Sequence, residues 1–321
     1  MSFKSGPIAF RRFSADMPPA TAAEICALLA DHRFTESDLG LPSSVEAGFV
    51  SQHLQDADFS PHRIQFGHAL LFNLRVYTHR VPSALKKAWT EAETKATVSI
   101  NPSGFASKLQ KRDIKESVRR RCEDELRSRK HRRSRLIPIM WDLQDHAIYT
   151  PATGTALDLL VTALDGIGVA VKPETPGTNS GTFDVTPTRF ALGPEGQAAM
   201  PSYPWVSRSC DQHAFLGNEF LEAVASLKSG KVPRRAAMMM ETGGFGFEFN
   251  LAADTFAISG LKLPQIEDAE DEHELIEARV NLVRTFWQAL TELYRKFIQL
   301  RQSLAWESAA QDIRTWIQNR G

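Results

Sequence analysis

The chain has 321 residues and is formally neutral, with 38 Lys and Arg against 38 Asp and Glu. Its three cysteines, Cys26, Cys122 and Cys210, are far apart and form no CxxC or Cys/His metal spacing, which argues against a disulfide framework and for a reducing compartment. The longest apolar run, Leu157 to Val171, is broken by Asp158 and Asp165 and is too short to span a bilayer. The first residues carry no apolar h-region, so a cytoplasmic protein is expected.

Ile8 to Phe13 reads as a short strand closed by Pro18-Pro19. Thr21 followed by Glu24 is a capping-box pattern, and Ile25, Leu28 and Leu29 supply the apolar face of the helix it starts. Ala69 to Tyr77 is β-rich. Pro82 stops it, and Ser83 can cap a helix reaching about Thr97. Asn101-Pro102-Ser103-Gly104 is a turn.

Positive charge then gathers. Lys108 to Arg135 holds 13 of the 38 basic residues and only five acids. Ile114, Val118, Cys122 and Leu126 form one narrow apolar stripe, so this is an amphipathic helix with its charge turned outward. Glu116 can pair with Arg120 and Glu123 with Arg127 at i,i+4 spacing, which is the pattern of a merely solvated face. From Arg127 to Arg135, however, six Lys and Arg and one His occur with no acid. Such crowding is unfavourable unless an anion relieves it, and phosphate does so while releasing condensed counterions. The candidate phosphate-binding residues are Lys111, Arg112, Arg119, Arg120 and Arg127 along the helix, and Arg129, Lys130, Arg132, Arg133 and Arg135 at its end. The segment has no interleaved aromatics, so base stacking on single strands is not indicated. A docking patch for an acidic protein partner remains the alternative.

Leu136 to Trp141 and Ala147 to Tyr149 read as strands around a turn near Gln144-Asp145. Thr155 to Leu164 reads as a helix, and Ile167, Val169 and Val171 alternate as a half-buried strand would. The result is a β-β-α-β unit. Pro173 to Pro204 reads as loop, Asn218 to Leu227 as a short helix, Arg235 to Leu251 as a hairpin turning near Thr242-Gly243-Gly244, and Thr255 to Ser259 as a strand. An acidic run, Glu267 to Glu277, leads into a long helix whose Leu282, Phe286, Leu290, Leu293, Phe297, Leu300 and Leu304 recur at three- and four-residue steps. That stripe suits packing inside its own domain or against a second copy.

Several fragments invite catalytic readings and none carries one. Gly243-Gly244-Phe245-Gly246 lacks a following GK[ST] and is read as a hairpin turn. Asp142, Asp145 and His146 fall where Asp serves turn chemistry. Cys210 and His213 are neighbours in sequence only, and Met238 to Met240 reads as strand core. The expectation is a non-enzymatic protein with no catalytic residue, metal or cofactor; a nuclease or other DNA-processing enzyme is the weaker alternative.

Taken in order, these pieces resemble the recombination-associated protein RdgC family. The likeness rests on the opening strand and Thr21 helix, on Ala47-Gly48-Phe49-Val50, and on Leu70-Leu71-Phe72 through Arg80-Val81-Pro82-Ser83. It continues through the basic helix leading to Met140-Trp141-Asp142, and through Ser229-Gly230-Lys231-Val232. The family's Leu-Pro-Arg-Ala-Phe stretch is not reproduced; Ser128-Arg129-Lys130-His131 is the nearest counterpart. The resemblance implies a horseshoe-like α+β subunit that pairs into a homodimeric ring on double-stranded DNA without marked sequence preference, and that restrains a RecA-type recombinase near the nucleoid. The expected organisation is an N-terminal α+β module over 1–100, the basic helix and β-β-α-β unit over 101–172, and the hairpin with the long helix over 173–321.

Overall fold

The computed structural model describes residues 3–18, 20–36, 45–52, 56–128, 131–174, 204–207, 214–216, 232–252, 255–266 and 269–302, with 308, 311 and 315. Pro173 to Pro204 falls outside them except for Pro173, Glu174 and Pro204; the expected helix at Asn218 to Leu227 and the Cys210/His213 pair lie wholly outside. The fold is α+β with antiparallel pairing throughout the named strands.

Strand β1 (Ile8–Asp16) opens the chain, and helix α1 (Ala22–Asp31) follows. Thr21 caps α1 as its sequence requires: the Glu24 amide donates to Thr21 Oγ1 at 3.3 Å, and the Thr21 amide donates to the Glu24 carboxylate at 2.7 Å. Next come β2 (Val45–Val50), the single turn α2 (Pro61–Ile64), β3 (Gln65–Phe66) and β4 (Ala69–His79). Helices α3 (Ser83–Ile100) and α4 (Lys108–Arg127) precede β5 (Arg132–Asp142) and β6 (Ala147–Thr150). Helix α5 (Thr155–Asp165) and β7 (Ala170–Pro173) complete that half. The remaining elements among the described residues are β8 (Pro204–Ser207), β9 (Ala214–Leu216), β10 (Val232–Thr242), β11 (Phe245–Ala252), β12 (Ile258–Lys262) and the long helix α6 (Glu272–Gln302).

All twelve strands among the described residues belong to one sheet, ordered β2-β4-β5-β6-β1-β12-β11-β10-β8-β9, with β3 beside β4 and β7 beside β1. β1 is the hinge of this order. Its first residues pair with β12, and Arg11 to Ser14 pair with β6 on the other edge. The two-residue period of a strand then separates two cores. Ile8 and Phe10 face α6 and pack with Tyr149, Phe249, Val283, Phe286 and Trp287. Phe13 and Ala15 face the other way and pack with Ile25 and Leu29 of α1 and Leu160 and Leu164 of α5.

Several boundaries differ from the sequence reading. Ser83 is the first helical residue and not a cap; Pro82 holds the N-cap position without a side-chain bond, and α3 runs on to Ile100. The alternation of Ile167 and Val169 is not a strand: both are buried in the turn after α5, and β7 begins at Ala170. The strand expected over Thr255 to Ser259 is shifted to β12. The hairpin stands where the sequence places it. Gly243 and Gly244 both have positive φ, 59° and 82°, as a two-residue turn matched to strand twist needs. In α6, Leu282, Phe286 and Leu290 are buried in the chain's own core. That places this half of the stripe inside the domain; the stripe's own side chains from Leu293 onward lie outside the described residues.

Candidate nucleic-acid interface

β4 and β5 pair without interruption from Ala69↔Asp142 to His79↔Arg132. Residues 80–131 therefore leave the sheet at one end of this ladder and return beside their point of departure. They form an antiparallel arm of two helices. Rising 1.5 Å per residue, α3 and α4 extend roughly 27–30 Å. Each packs chiefly on the other and not on the rest of the described fold. The expected stripe Ile114, Val118 and Cys122 is buried, and its partner is Trp89 of α3 together with Val81, with Leu85 and Leu126 at the edges. The guanidinium of Arg121 lies over the Trp89 ring at 4.5 Å. At the far end a capping box starts α4: Ser107 and Gln110 exchange bonds of 3.2 and 2.8 Å. The amides of Asn101 and Gln110 also bond reciprocally at 2.9 and 3.0 Å, tying loop to helix.

The arm is strongly basic: residues 80–131 hold fourteen Lys and Arg against seven acids. With only a thin apolar seam to bury, nearly all of the positive charge on its described residues faces water. Lys108, Lys111, Arg112 and Lys115 are exposed and make no ion pair among the described residues. Lys108, Arg112, Lys115 and Arg119 follow one another at four- and three-residue steps, so they share one flank of α4. Arg119 and Arg120 are exposed too, but both are claimed by Glu116, at 2.7 and 3.5 Å. Arg119 lies within 3.4 Å of Glu123 as well, and Arg127 within 3.4 Å of Asp124. The expected Glu116–Arg120 pair is thus present, whereas Glu123 meets Arg119 and not Arg127. The hydrogen bond from Arg119 holds the Glu116 carboxyl below its ordinary pKa, and the same bond raises that of Arg119.

The expectation for the second half of the basic run needs correction. Arg132, Arg133 and Arg135 are not on a helix end. α4 stops at Arg127, and β5 starts at Arg132, four residues earlier than the apolar pattern indicated. Arg129 and Lys130 lie outside the described residues. Arg132 is only partly accessible: it reaches Glu36 at 2.7 Å and lies over the Tyr77 ring. Part of the like-charge crowding is therefore relieved from within the protein, by Glu36 for Arg132 and by Asp124 for Arg127. Arg133 and Arg135 are exposed, without an ion-pair partner among the described residues, at the root of the arm. They line a cavity of about 470 Å³ with Val45, Val76 and Thr155.

Sequence reasoning missed the α3 side of the arm. Lys86, Lys87 and Lys95 are exposed there, with Lys87 3.9 Å from Glu91. Two helices of similar length joined by an Asn-Pro-Ser-Gly turn are a signal that could have found the arm. That the flanking strands pair along their whole length is not visible locally.

The carboxylates weighed from sequence at the β5–β6 turn have structural work. Asp142 accepts from the Gln144 and Asp145 amides, both at 3.0 Å, so it builds the β5–β6 turn. The carboxylates of Asp142 and Asp145 also face Arg284 of α6 at 2.6 and 3.4 Å. Among the described residues no group of three or more His, Cys, Asp or Glu is placed to hold a metal ion, and no helix is long and apolar enough to cross a membrane. Comparison of the chain with models of known protein families and with curated proteins finds no match.

Proposed function

We propose that this chain is a non-enzymatic, largely sequence-independent double-stranded-DNA-binding protein. In this reading it acts as a homodimer near the nucleoid and modulates homologous recombination by restraining a RecA-type recombinase. The observation that carries the reading is the basic arm, with exposed cations along one flank of α4 that no acid among the described residues occupies. A narrow rigid element of this kind meets a duplex through phosphate, and phosphate contacts carry no sequence information directly. The RdgC-like order of motifs supplies the expectation of a dimer and of the recombinational role.

Titration of several unrelated duplexes at a series of salt concentrations tests it. Binding should fall steeply with salt and differ only a few-fold among sequences. A site bound ~10³-fold more tightly would contradict it. Light scattering should give about twice 35.8 kDa, and a strand-exchange reaction driven by a RecA-type recombinase should slow when the protein is added first.

The ion pairs of Arg119, Arg120 and Arg127 take these cations away from phosphate, and the alternative reading is that the cations left unpaired form a face that docks an acidic protein. It predicts no steep salt dependence with plain duplex.

A further inference from the structure

Three large apolar side chains stand in water at the far end of the arm: Ile100 is 81% exposed, Phe105 79% and Leu109 63%. Ile100 ends α3, Phe105 lies in the connecting loop, and Leu109 is in the first turn of α4. The loop holds its shape around them. The Asn101 side-chain amide donates to the Phe105 carbonyl at 2.8 Å, and the Ser103 hydroxyl donates to the same oxygen at 3.3 Å. The backbone of Phe105 is thus fastened while its ring is presented outward.

The surroundings decide what such a tip meets. Lys108, Lys111, Arg112 and Lys115 follow it directly and have no acid partner among the described residues. A second tip would bring like charge against like charge. Three side chains from each copy would also cover far less than the ~1,200 Å² that a stable specific interface takes. A duplex offers the opposite charge beside an apolar stack of bases. On the DNA-binding reading above, we propose that the tip is a wedge. Lys108, Arg112 and Lys115 hold the flanking phosphates, and Phe105 enters between two base pairs with Ile100 and Leu109 against its sides. The wedge unstacks that step and bends the duplex. Arms with apolar wedges bend DNA in this way, and pyrimidine–purine steps yield most easily.

The test uses the full chain and an about 30-bp duplex with a central TA step, end-labelled for energy transfer and carrying 2-aminopurine at the step. Binding should raise both the energy transfer and the 2-aminopurine fluorescence. The double variant Ile100→Ser/Phe105→Ser, whose substituted side chains are exposed and leave the Trp89 seam alone, should keep the wild-type melting temperature and salt slope. Both optical signals should return to those of free duplex. Wild-type-like signals from the variant, or bound wild type with no 2-aminopurine response, would overturn the wedge while leaving DNA binding in place. If the variant instead turns a dimer into a monomer, the tip is a contact between copies and the proposal fails. Absence of duplex binding by the wild type at any salt would sink the parent reading, and the wedge with it.

Discussion

Arg284 of α6 brings its Nε to 2.6 Å from Oδ2 of Asp142, whose side chain is fully buried at the end of β5. The approach is off the line that an aligned N–H···O bond needs, so the attraction is chiefly one of charge. Arg284 reaches Asp145 too, at 3.4 Å. These contacts fasten the long C-terminal helix to the β5–β6 turn, far away in sequence. Replacing one partner alone leaves the other buried and uncompensated. Arg284→Leu is expected to cost on the order of 3 kcal/mol, read as a lower urea midpoint at unchanged m-value. A change under about 1 kcal/mol, the range of exposed pairs, would show that the contact is superficial.

Gly48 carries a different constraint. A Cβ there would stand 2.5 Å from the Cα of Phe34. The reason is the parallel bridge that lays residues 32–34 along β2, where Phe34 donates to the Phe49 carbonyl at 2.8 Å and Phe49 donates to His32 at 3.2 Å. Gly48→Ala must push that segment away, and it should destabilise by about 1–3 kcal/mol, as overpacking does. The displaced Phe34 also stacks on Tyr77, with Arg75 4.4 Å from each ring. Protection of the Phe34 amide from hydrogen exchange should therefore fall in this variant. Unchanged protection together with unchanged stability would refute the clash.

Tyr149 gives an alkaline signature. It is buried between Phe10 and Trp287, and its hydroxyl accepts from Arg12 Nε at 3.0 Å. Burial pushes its pKa up to about 12, against an ordinary 10. A raised value in the folded state means that the fold favours the neutral phenol. The stability this contributes is complete below pH 10 and is lost as pH climbs from 10 toward 12. Wild type should lose stability in that window beyond what Tyr149→Phe loses. The variant should also be less stable at pH 7 by about 1 kcal/mol through the missing hydrogen bond. Parallel stability curves for the two proteins across the window from 10 to about 12 would exclude Tyr149 as the titrating group.

On the arm, the pairing of its cations predicts two opposite effects. Replacing Lys108, Lys111, Arg112 and Lys115 by Gln should weaken every duplex alike and flatten the slope of log K against log salt by about 0.9 for each phosphate that is no longer neutralised. Glu116→Gln should act the other way. It releases Arg120 and leaves Arg119 with Glu123 alone, so the slope should steepen by up to about 0.9 if Arg120 then reaches phosphate. Wild-type affinity and slope in the Gln quadruple variant would remove α4 from the DNA site.

The run at Arg129, Lys130, Arg132 and Arg133 is the stronger candidate from sequence alone, and the structure changes what its replacement by Gln should do. Arg132 is tied to Glu36, so the quadruple variant is expected to lose some stability rather than gain it from relieved repulsion. Restoring Arg132 alone should recover the melting temperature without restoring DNA affinity. Recovery of affinity with no change in melting temperature would assign Arg132 to the phosphates.

What the sequence determined by itself is what short spans of chain decide. The capping boxes at Thr21 and Ser107, the narrow stripe Ile114–Val118–Cys122 and the Gly-Gly hairpin turn all follow from residues within a few positions of one another. They form because a local hydrogen bond, a 3.6-residue period or a positive φ needs no distant partner. The concentration of positive charge was legible in the same way. Its geometry was not. Arg132 becomes strand because β4 offers its edge from the far side of the arm, and it loses its freedom to Glu36, 96 positions away. The partner of the apolar stripe is Trp89, across a turn whose exposed tip no periodicity marks. Strand pairing and ion pairing depend on which surfaces the whole fold brings together. Only the tertiary structure could therefore divide one basic run into a projecting helix, a paired strand and the few cations left open to meet an anion.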